Sequence, residues 1–380
     1  MPIYKANGKK DGLQKYTVRV NYQTNDGANK QLTRIAYGSE SAKDLELKLL
    51  AEIKEKSDGS YNKTTIHQLF AEYIATKQYD VRKTTSQRYE QLYELYIKSE
   101  LGSIKVIKVT IPVLQKWKSY IEGLGIGLVT RNHAYAVLRI ILNYAVRMEY
   151  IPKNPLVSIG CFKDATHSKA KVHHYTASEF LSYIETVKKY AEKREAECRN
   201  LSEWDFYVFF NIAFYTGMRK GEIIALKWSD LEDGHIIVRR SIQQKIKGEA
   251  DQETPPKSKS SVRTLQMPNP LLQVLDEHRE RQQHIGRFTE DYRICGGQQC
   301  IKGGSLGDKN SFYASLSGQK RIRIHDFRHS HVSVLANEGI NIQEIARRLG
   351  HAKVELTWNT YSHLYPREQE KAVDVLNNIA

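Results

Sequence analysis

Near the start of the chain, Val18, Val20 and Tyr22 alternate with Arg19 and Asn21, the period-two pattern of a half-buried strand. Asn25-Asp26-Gly27 gives a turn signal, and a second strand-like run spans Leu32 to Tyr37. Ala42, Leu45, Leu49 and Ile53 then recur at helical spacing behind the capping candidates Ser39 and Ser41. After a linker signal at Ser57-Asp58-Gly59-Ser60, the period changes to that of helices throughout. Ile66, Leu69, Phe70, Tyr73 and Ile74 form one stripe, and Tyr89, Leu92, Tyr93, Tyr96 and Ile97 a second. Leu114, Trp117, Ile121 and Leu124 form a third, and Tyr135, Leu138, Leu142 and Ala145 a fourth. Amphipathic stripes this closely spaced predict a compact bundle whose aromatics are core rather than base-stacking platforms.

Residues 152–175 lack periodicity and carry Pro152, Pro155, Lys169, Lys171, His173 and His174, which reads as a basic linker. Thr176 with Glu179 makes a capping box that opens a mostly helical region. Strand-like runs at His235 to Arg240 and Val262 to Met267 interrupt it as a hairpin or meander edge. The expected fold class is mainly α with small β elements (α+β). Its parts are a sheet-plus-helix domain over residues 1–56, a helical bundle over 61–157, and a mostly helical domain with a small antiparallel sheet over 170–380.

Charge changes the picture. Lys+Arg 58 against Asp+Glu 43 gives a net +15, which favours a polyanionic partner. Basic residues sit on or beside the first strands (Lys15, Arg19, Lys30, Arg34) and at helix starts of the bundle (Arg82-Lys83, Arg131). The first thirty residues lack the apolar segment of a signal peptide, and no stretch reaches membrane-spanning length. A cytoplasmic protein with no membrane partner is therefore expected. Cys161, Cys198, Cys295 and Cys300 are scattered and read as free thiols.

The later half carries the candidate chemistry. Thr216-Gly217-Met218-Arg219-Lys220-Gly221-Glu222 follows an apolar helix that Gly217 can end in a left-handed conformation. Arg219 then stands at the next helix start, suited to a phosphate oxygen. Lys257 lies in Pro256-Lys257-Ser258-Lys259-Ser260-Ser261-Val262-Arg263, at the turn into a strand, where it can reach a phosphodiester. His325 and Arg328 share a helix face in His325-Asp326-Phe327-Arg328-His329-Ser330. His325, His329 and His331 also invite a metal reading, but His331 falls on another face and no carboxylate cluster joins them, so no metal is expected. Leu349-Gly350-His351 ends a helix, and Tyr361 follows in Asn359-Thr360-Tyr361-Ser362-His363-Leu364. A tyrosine needs cationic neighbours or a base to act as a nucleophile.

Arg219, Lys257, His325 with Arg328, His351 and Tyr361 occur in the order shown by tyrosine recombinases, the phage-integrase family, and the local words resemble that family's over residues 170–380. Ser258 stands where Thr often follows the lysine, and Lys259 is a second lysine beside it. The resemblance implies a catalytic domain preceded by a core-site-binding bundle and an arm-site-binding unit. It implies that Arg219 and Arg328 clamp the non-bridging phosphate oxygens and that His351 donates a further hydrogen bond to them. His325 would assist proton removal from Tyr361, Lys257 would protonate the departing 5′-hydroxyl, and Glu222 would orient a basic side chain. The product would be a 3′-phosphotyrosine, rejoined without ATP, metal or other cofactor. The implied partners are double-stranded DNA attachment sites, a homotetramer on DNA, an excision factor and a host DNA-bending protein. Ala372, Val373, Leu376 and Ile379 form an apolar face that either docks on its own catalytic domain or, as the resemblance implies, links the subunits. Integration and excision of a mobile element is the implied function.

Other readings compete. Asn341 to Gly350 resembles a piece of helix-turn-helix, as in a DNA-binding regulator without catalysis. A metal-dependent nuclease would need clustered carboxylates, which the sequence lacks. A topoisomerase would share the nucleophile but not strand exchange.

Overall fold

The computed structural model describes residues 3–10, 12–23, 29–57, 63–77, 83–163, 173–198, 201–243, 252–254, 262–284 and 287–362, with 373, 376 and 377. The chain divides into two compact units, Met1–Ser168 and Lys169–Ala380. Among the described residues no helix is long and apolar enough to cross a membrane.

The first unit opens with β1 (Ile3–Lys10), β2 (Leu13–Gln23) and β3 (Asn29–Tyr37), an antiparallel sheet in that order, followed by α1 (Ser39–Ser57). The helix and the even-numbered face of β2 bury Val18, Val20, Ala36, Ala42 and Leu49 together. The period-two pattern predicts β2 and β3. It misses β1, an edge strand of mostly exposed residues whose sequence, IYKANGKK, has no alternating apolar set.

The bundle consists of α2 (Ile66–Lys77), α3 (Lys83–Tyr96), α4 (Lys98–Leu101), α5 (Ile111–Gly123), α6 (Leu128–Arg147) and α7 (Leu156–Ile159). Each sequence stripe becomes one of the longer helices, and its aromatics are core. Phe70 stacks on Tyr93 at 3.9 Å, and the buried Trp117 donates its indole N–H to Tyr96 O at 2.8 Å. The reading of 152–175 as linker needs correction. Leu156 and Phe162 belong to the bundle core, and Phe162 N donates to Asn132 Oδ1 at 3.0 Å. At the other end Tyr175 is already core of the second unit. Lys169 and Lys171 lie outside the described residues.

The second unit is built around α9 (Ser202–Thr216), which is buried on nearly every side and so is apolar all round. Packed on it are α8 (Ala177–Cys198), α10 (Lys220–Ala225), α11 (Asn269–His284) and α13 (Asp326–Asn337). The expected capping box starts α8: Thr176 N donates to Glu179 Oε2 at 2.8 Å and Glu179 N to Thr176 Oγ1 at 3.2 Å. β4 (Leu231–Glu232), β5 (His235–Val238) and β8 (Arg263–Gln266) form one antiparallel sheet, and β6 (Ser241–Gln243) with β7 (Gln252–Thr254) a separate hairpin. α12 (Gly303–Leu316), α14 (Ile342–Leu349) and α15 (Val354–Tyr361) complete it. The segment that resembles helix-turn-helix is α14. Its Ile345 and Leu349 pack with Val332 and Ala336 of α13 and with Tyr361, so its apolar face is committed to the domain core.

Trp117→Ala should destabilise the first unit by about 3–5 kcal/mol, because it empties a fully enclosed site and strands Tyr96 O. Urea unfolding of the native and variant chains measures this; a loss below about 1 kcal/mol would contradict the packing described.

Candidate active site

Two helices of the second unit end in left-handed glycines, and their ends face one guanidinium. Gly217 (φ 63°) ends α9 and Gly350 (φ 65°) ends α14. Arg328, in the first turn of α13 and only 3% exposed, donates from Nη1 to Gly217 O at 2.7 Å and from Nη2 to Leu349 O at 2.8 Å. Carbonyls at helix C-termini lack intrahelical donors and carry the negative end of the helix dipole, so they suit a buried cation. Gly217 is required twice over. Its φ is positive, and a Cβ there would lie 2.7 Å from the His331 ring. His331 is thereby a packing residue, its Nδ1–H donating to Phe214 O at 2.8 Å.

A buried carboxylate fixes the neighbouring cations. Glu222, 4% exposed, accepts from Arg219 Nη1 at 2.8 Å through Oε1, and from Arg219 N and Arg263 Nη2 at 3.0 Å each through Oε2. Burial pushes its carboxyl up, but Arg263 and Arg219 outweigh this, and the net direction is down. Arg263 also donates from Nε to Arg348 O at 2.6 Å, near the end of α14. Burial first, and then Arg219, pull the Arg328 guanidinium below its ordinary range, as expected where cations crowd a site that an anion would relieve.

His351 follows Gly350. Its Nε2 accepts from Arg328 Nη2 at 2.8 Å and its Nδ1–H donates to Thr357 Oγ1 at 2.7 Å. Burial, then Arg328, hold this ring down to about 4, which agrees with a neutral imidazole accepting from Arg328. Donation from His351 to a phosphate, the role the family resemblance implies, would require Nε2 to carry a hydrogen. Tyr361 ends α15, is 4% exposed, and has its phenol pushed up to about 12 by burial, with Arg328 pulling it down. The ring that touches its hydroxyl is His329, through Nδ1; His325, the expected partner, stacks edge-on to His329 at 5.3 Å.

Arg219, Glu222, Arg328, His351 and Tyr361 are thus brought together, with His325 one ring further out. Lys257 and Lys259 lie outside the described residues, as does Arg82. Lys83 begins α3, and Arg131, in the first turn of α6, donates from Nε to Ile126 O at 2.7 Å. In the N-terminal sheet, Lys15 pairs with Tyr37 and Arg19 with Thr33, on the face that α1 does not cover. Lys30 and Arg34 pair with Tyr22 and Val18, on the helix side of the sheet, with their side chains exposed at its edge. The expected set therefore divides between two faces. Among the described residues no three His, Cys, Asp or Glu side chains group as metal ligands.

Residues 182–368 match the phage integrase family, and residues 65–121 match the N-terminal SAM-like domain of phage integrases. The chain is 25% identical to the ICEBs1 integrase of Bacillus subtilis (strain 168) over 357 residues, 91% of each chain. It is 27% identical to a XerC-like tyrosine recombinase of Caldanaerobacter subterraneus over 399 residues, 99% of each chain. The chain belongs to the phage integrase family, the tyrosine recombinases. Its fold is shared with the Tn1549 transposon integrase solved with circular intermediate DNA (TM-score 0.65, 20% identity, covering 83% of this chain and 99% of that one). It is shared too with a lambda integrase dimer bound to a COC′ core site (TM-score 0.57, 17% identity, covering 96% and 94%).

For a tyrosine recombinase the sequence words were informative about which residues meet, less so about how. Arg263 carried a signal, as the arginine that closes the Lys257 turn, but its partner Glu222 lies 41 residues earlier. His329 was visible only as a member of a histidine run.

Glu222→Ala should cost about 3–5 kcal/mol, because it removes the buried carboxylate that pairs with the buried Arg263; the half-exposed Arg219 contributes little to that figure. A carboxyl held below its ordinary range stabilises the fold above that range and loses the effect as pH falls through its folded value. The gap between native and Glu222→Ala in urea unfolding should therefore be full at neutral pH and shrink in acid; a gap that grows in acid would contradict the pairing.

Proposed function

We propose that this tyrosine recombinase cuts and rejoins DNA at specific sites through Tyr361, and that it integrates and excises a mobile element. The observation that supports this reading best is the buried Tyr361 phenol within the influence of Arg328, a guanidinium whose surroundings favour an anion. A scissile phosphate placed there would lay its non-bridging oxygens on Arg219 and Arg328. The Tyr361 oxygen attacks phosphorus, the bond to the 5′ oxygen breaks, and a 3′-phosphotyrosine holds the energy of the phosphodiester. Lys257 protonates the leaving 5′ oxygen. Attack by a 5′-hydroxyl of the exchanged strand reverses these steps, which is why no ATP is needed. A regulator that only binds DNA would have no use for a tyrosine buried beside these cations.

The relatives supply the wider setting. The B. subtilis relative is named for ICEBs1, and another structure of the same fold is a lambda integrase tetramer bound to a Holliday junction (TM-score 0.55, 17% identity, covering 93% of this chain and 96% of that one). By analogy the chain acts in the cytoplasm as a tetramer on core sites, which its helical bundle grips. The open face of the N-terminal sheet, with Lys15 and Arg19 beside the exposed Tyr4 and Ile35, suits a DNA groove at separate arm sites. An excision factor and a host bending protein are the expected accessories. The tail segment proposed to join subunits lies outside the described residues except at Val373, Leu376 and Asn377.

Tyr361→Phe should bind a nicked core-site duplex normally and form no covalent adduct on a denaturing gel. An adduct that persists in Tyr361→Phe and disappears in Tyr365→Phe would move the nucleophile to Tyr365. Cleavage should continue in EDTA and binding should weaken steeply with salt, since phosphate contacts release counterions; cleavage lost in EDTA and restored by Mg²⁺ at equal DNA occupancy would contradict the role given to the cations. Deleting residues 1–56 should spare cleavage of a core site and abolish recombination of full attachment sites, measured side by side; unchanged recombination would remove the arm-site role.

A further inference from the structure

His329 is the residue in contact with the Tyr361 hydroxyl, and its ring faces an unusual set of neighbours. Nδ1 meets the phenol oxygen, the two ring centroids being 5.4 Å apart. On the other side, Nε2 lies 3.9 Å from Asp326 Oδ1, a distance of electrostatic rather than hydrogen-bonded contact. His325, the N-cap of α13, and Asp326, its first residue, precede His329 by four and three residues, so all three lie on one side of the helix start. Asp326 is buried and immobilised: its carboxylate accepts from Arg323 N at 2.9 Å and from Arg323 Nη2 at 3.0 Å. The charged and titratable groups around His329 are therefore His325, Asp326, Arg323 and Arg328 from its own side and Tyr361 from α15.

We propose that His329 is a catalytic residue, whose Nδ1 takes the proton of Tyr361 as the phenol oxygen attacks phosphorus, with Asp326 as the positioning residue that sets its tautomer. The inference rests on the reading of Tyr361 as the nucleophile. A carboxylate offers no proton, so Asp326 favours the tautomer with hydrogen on Nε2. Nδ1 then keeps a lone pair aimed at the phenol. The order hydroxyl, imidazole, carboxylate resembles lines that activate hydroxyl nucleophiles elsewhere, but here the carboxylate acts on the ring through its charge at 3.9 Å rather than through a hydrogen bond.

The proton balance closes in both directions. In cleavage the Tyr361 O–H bond breaks, the proton moves to Nδ1, the oxygen–phosphorus bond forms, and the phosphorus–O5′ bond breaks with its electron pair leaving on O5′, which takes a proton from Lys257 as in the proposed function. In rejoining, the 5′-hydroxyl gives that proton back to Lys257 as it attacks, the phosphotyrosine bond breaks, and the His329 imidazolium returns its proton to the Tyr361 oxygen. Burial, and then His325, hold the His329 ring down to about 4, so it is neutral and able to accept. Burial also pushes the phenol up to about 12, so the proton stays on Tyr361 until a phosphate arrives. Partial bonding to phosphorus acidifies the phenol, and the anionic phosphate favours the imidazolium.

The test uses the full-length chain on a nicked suicide substrate, with covalent complex formation followed in a single turnover. In His329→Asn, Oδ1 can replace Nδ1 as a hydrogen-bond acceptor but cannot hold a proton. It should bind DNA as the native chain does and form the adduct about 10²–10⁴-fold more slowly. Replacing Tyr361 in that variant with a fluorinated tyrosine, whose acidic phenol needs no base, should recover most of the loss. His325→Gln should show no such recovery. A native rate in His329→Asn, a loss that the fluorinated phenol does not recover, or recovery in His325→Gln instead would each overturn the assignment. If His329→Asn binds DNA poorly, His329→Ala with added imidazole replaces it: a faster covalent step supports the inference and an unchanged one overturns it. Tyr361→Phe run in parallel separates the two claims, since an adduct in that variant would sink the nucleophile and not merely its base.

Discussion

The arrangement depends on one buried guanidinium. Arg328 is held by Gly217 O and Leu349 O, carbonyls at the ends of helices that are far apart in sequence. Because the same side chain bonds both ends, it sets where α9 and α14 stop relative to α13. Everything else at the site is anchored to those ends. Arg219 begins the helix that follows Gly217, and His351 follows the glycine that ends α14. Arg263 reaches Arg348 O on that same helix. The site thus combines the functions of core and cradle: the interactions that fix the helix ends also concentrate positive charge.

That charge is arranged with little help from counter-ions. Glu222 is the carboxylate that Arg219 and Arg263 share, and among the described residues the hydrogen-bond partners of Arg328 are Gly217 O, Leu349 O and His351. A single anionic group entering beside Arg328 would find donors already in place, so the cost of organising them is met in folding rather than during the reaction. The buried, protonated Tyr361 complements this. If Tyr361 is the nucleophile, as proposed, a phenol kept neutral next to a neutral imidazole stays inactive toward adventitious electrophiles until a phosphate arrives.

Much of this was legible in the sequence because each part depends on a local rule. The bundle helices show as stripes because each buries one face, and Gly217 shows as a helix stop because only glycine fits a positive φ against the His331 ring. Arg219, Arg328, His351 and Tyr361 were visible through words whose order few unrelated chains would share. What could not be read depends on distance in space. Edge strand β1 has no buried face of its own to leave a pattern. Phe162 follows Leu156, Val157 and Ile159 without a regular period, and its place in the bundle comes from packing on Trp117 and Tyr135 and from its bond to Asn132. His325 and His329 are one turn apart on the same helix face, so spacing alone cannot say which ring meets a tyrosine from another helix. The structure brings Tyr361 to His329. Lys30 and Arg34 looked equivalent to Lys15 and Arg19 until the register put them on the opposite face.

On the proposed function, the Arg328 cluster neutralises charge on one phosphate. A substrate carrying a neutral methylphosphonate in place of the scissile phosphate tests it most directly. Arg328→Ala, with DNA binding verified, should fail to form a covalent adduct on the ordinary phosphodiester and regain adduct formation on the methylphosphonate, where the charge it would balance is absent. An Arg328→Ala chain equally inactive on both substrates, while the native chain reacts with both, would contradict the account and leave Arg328 a structural tie between helix ends.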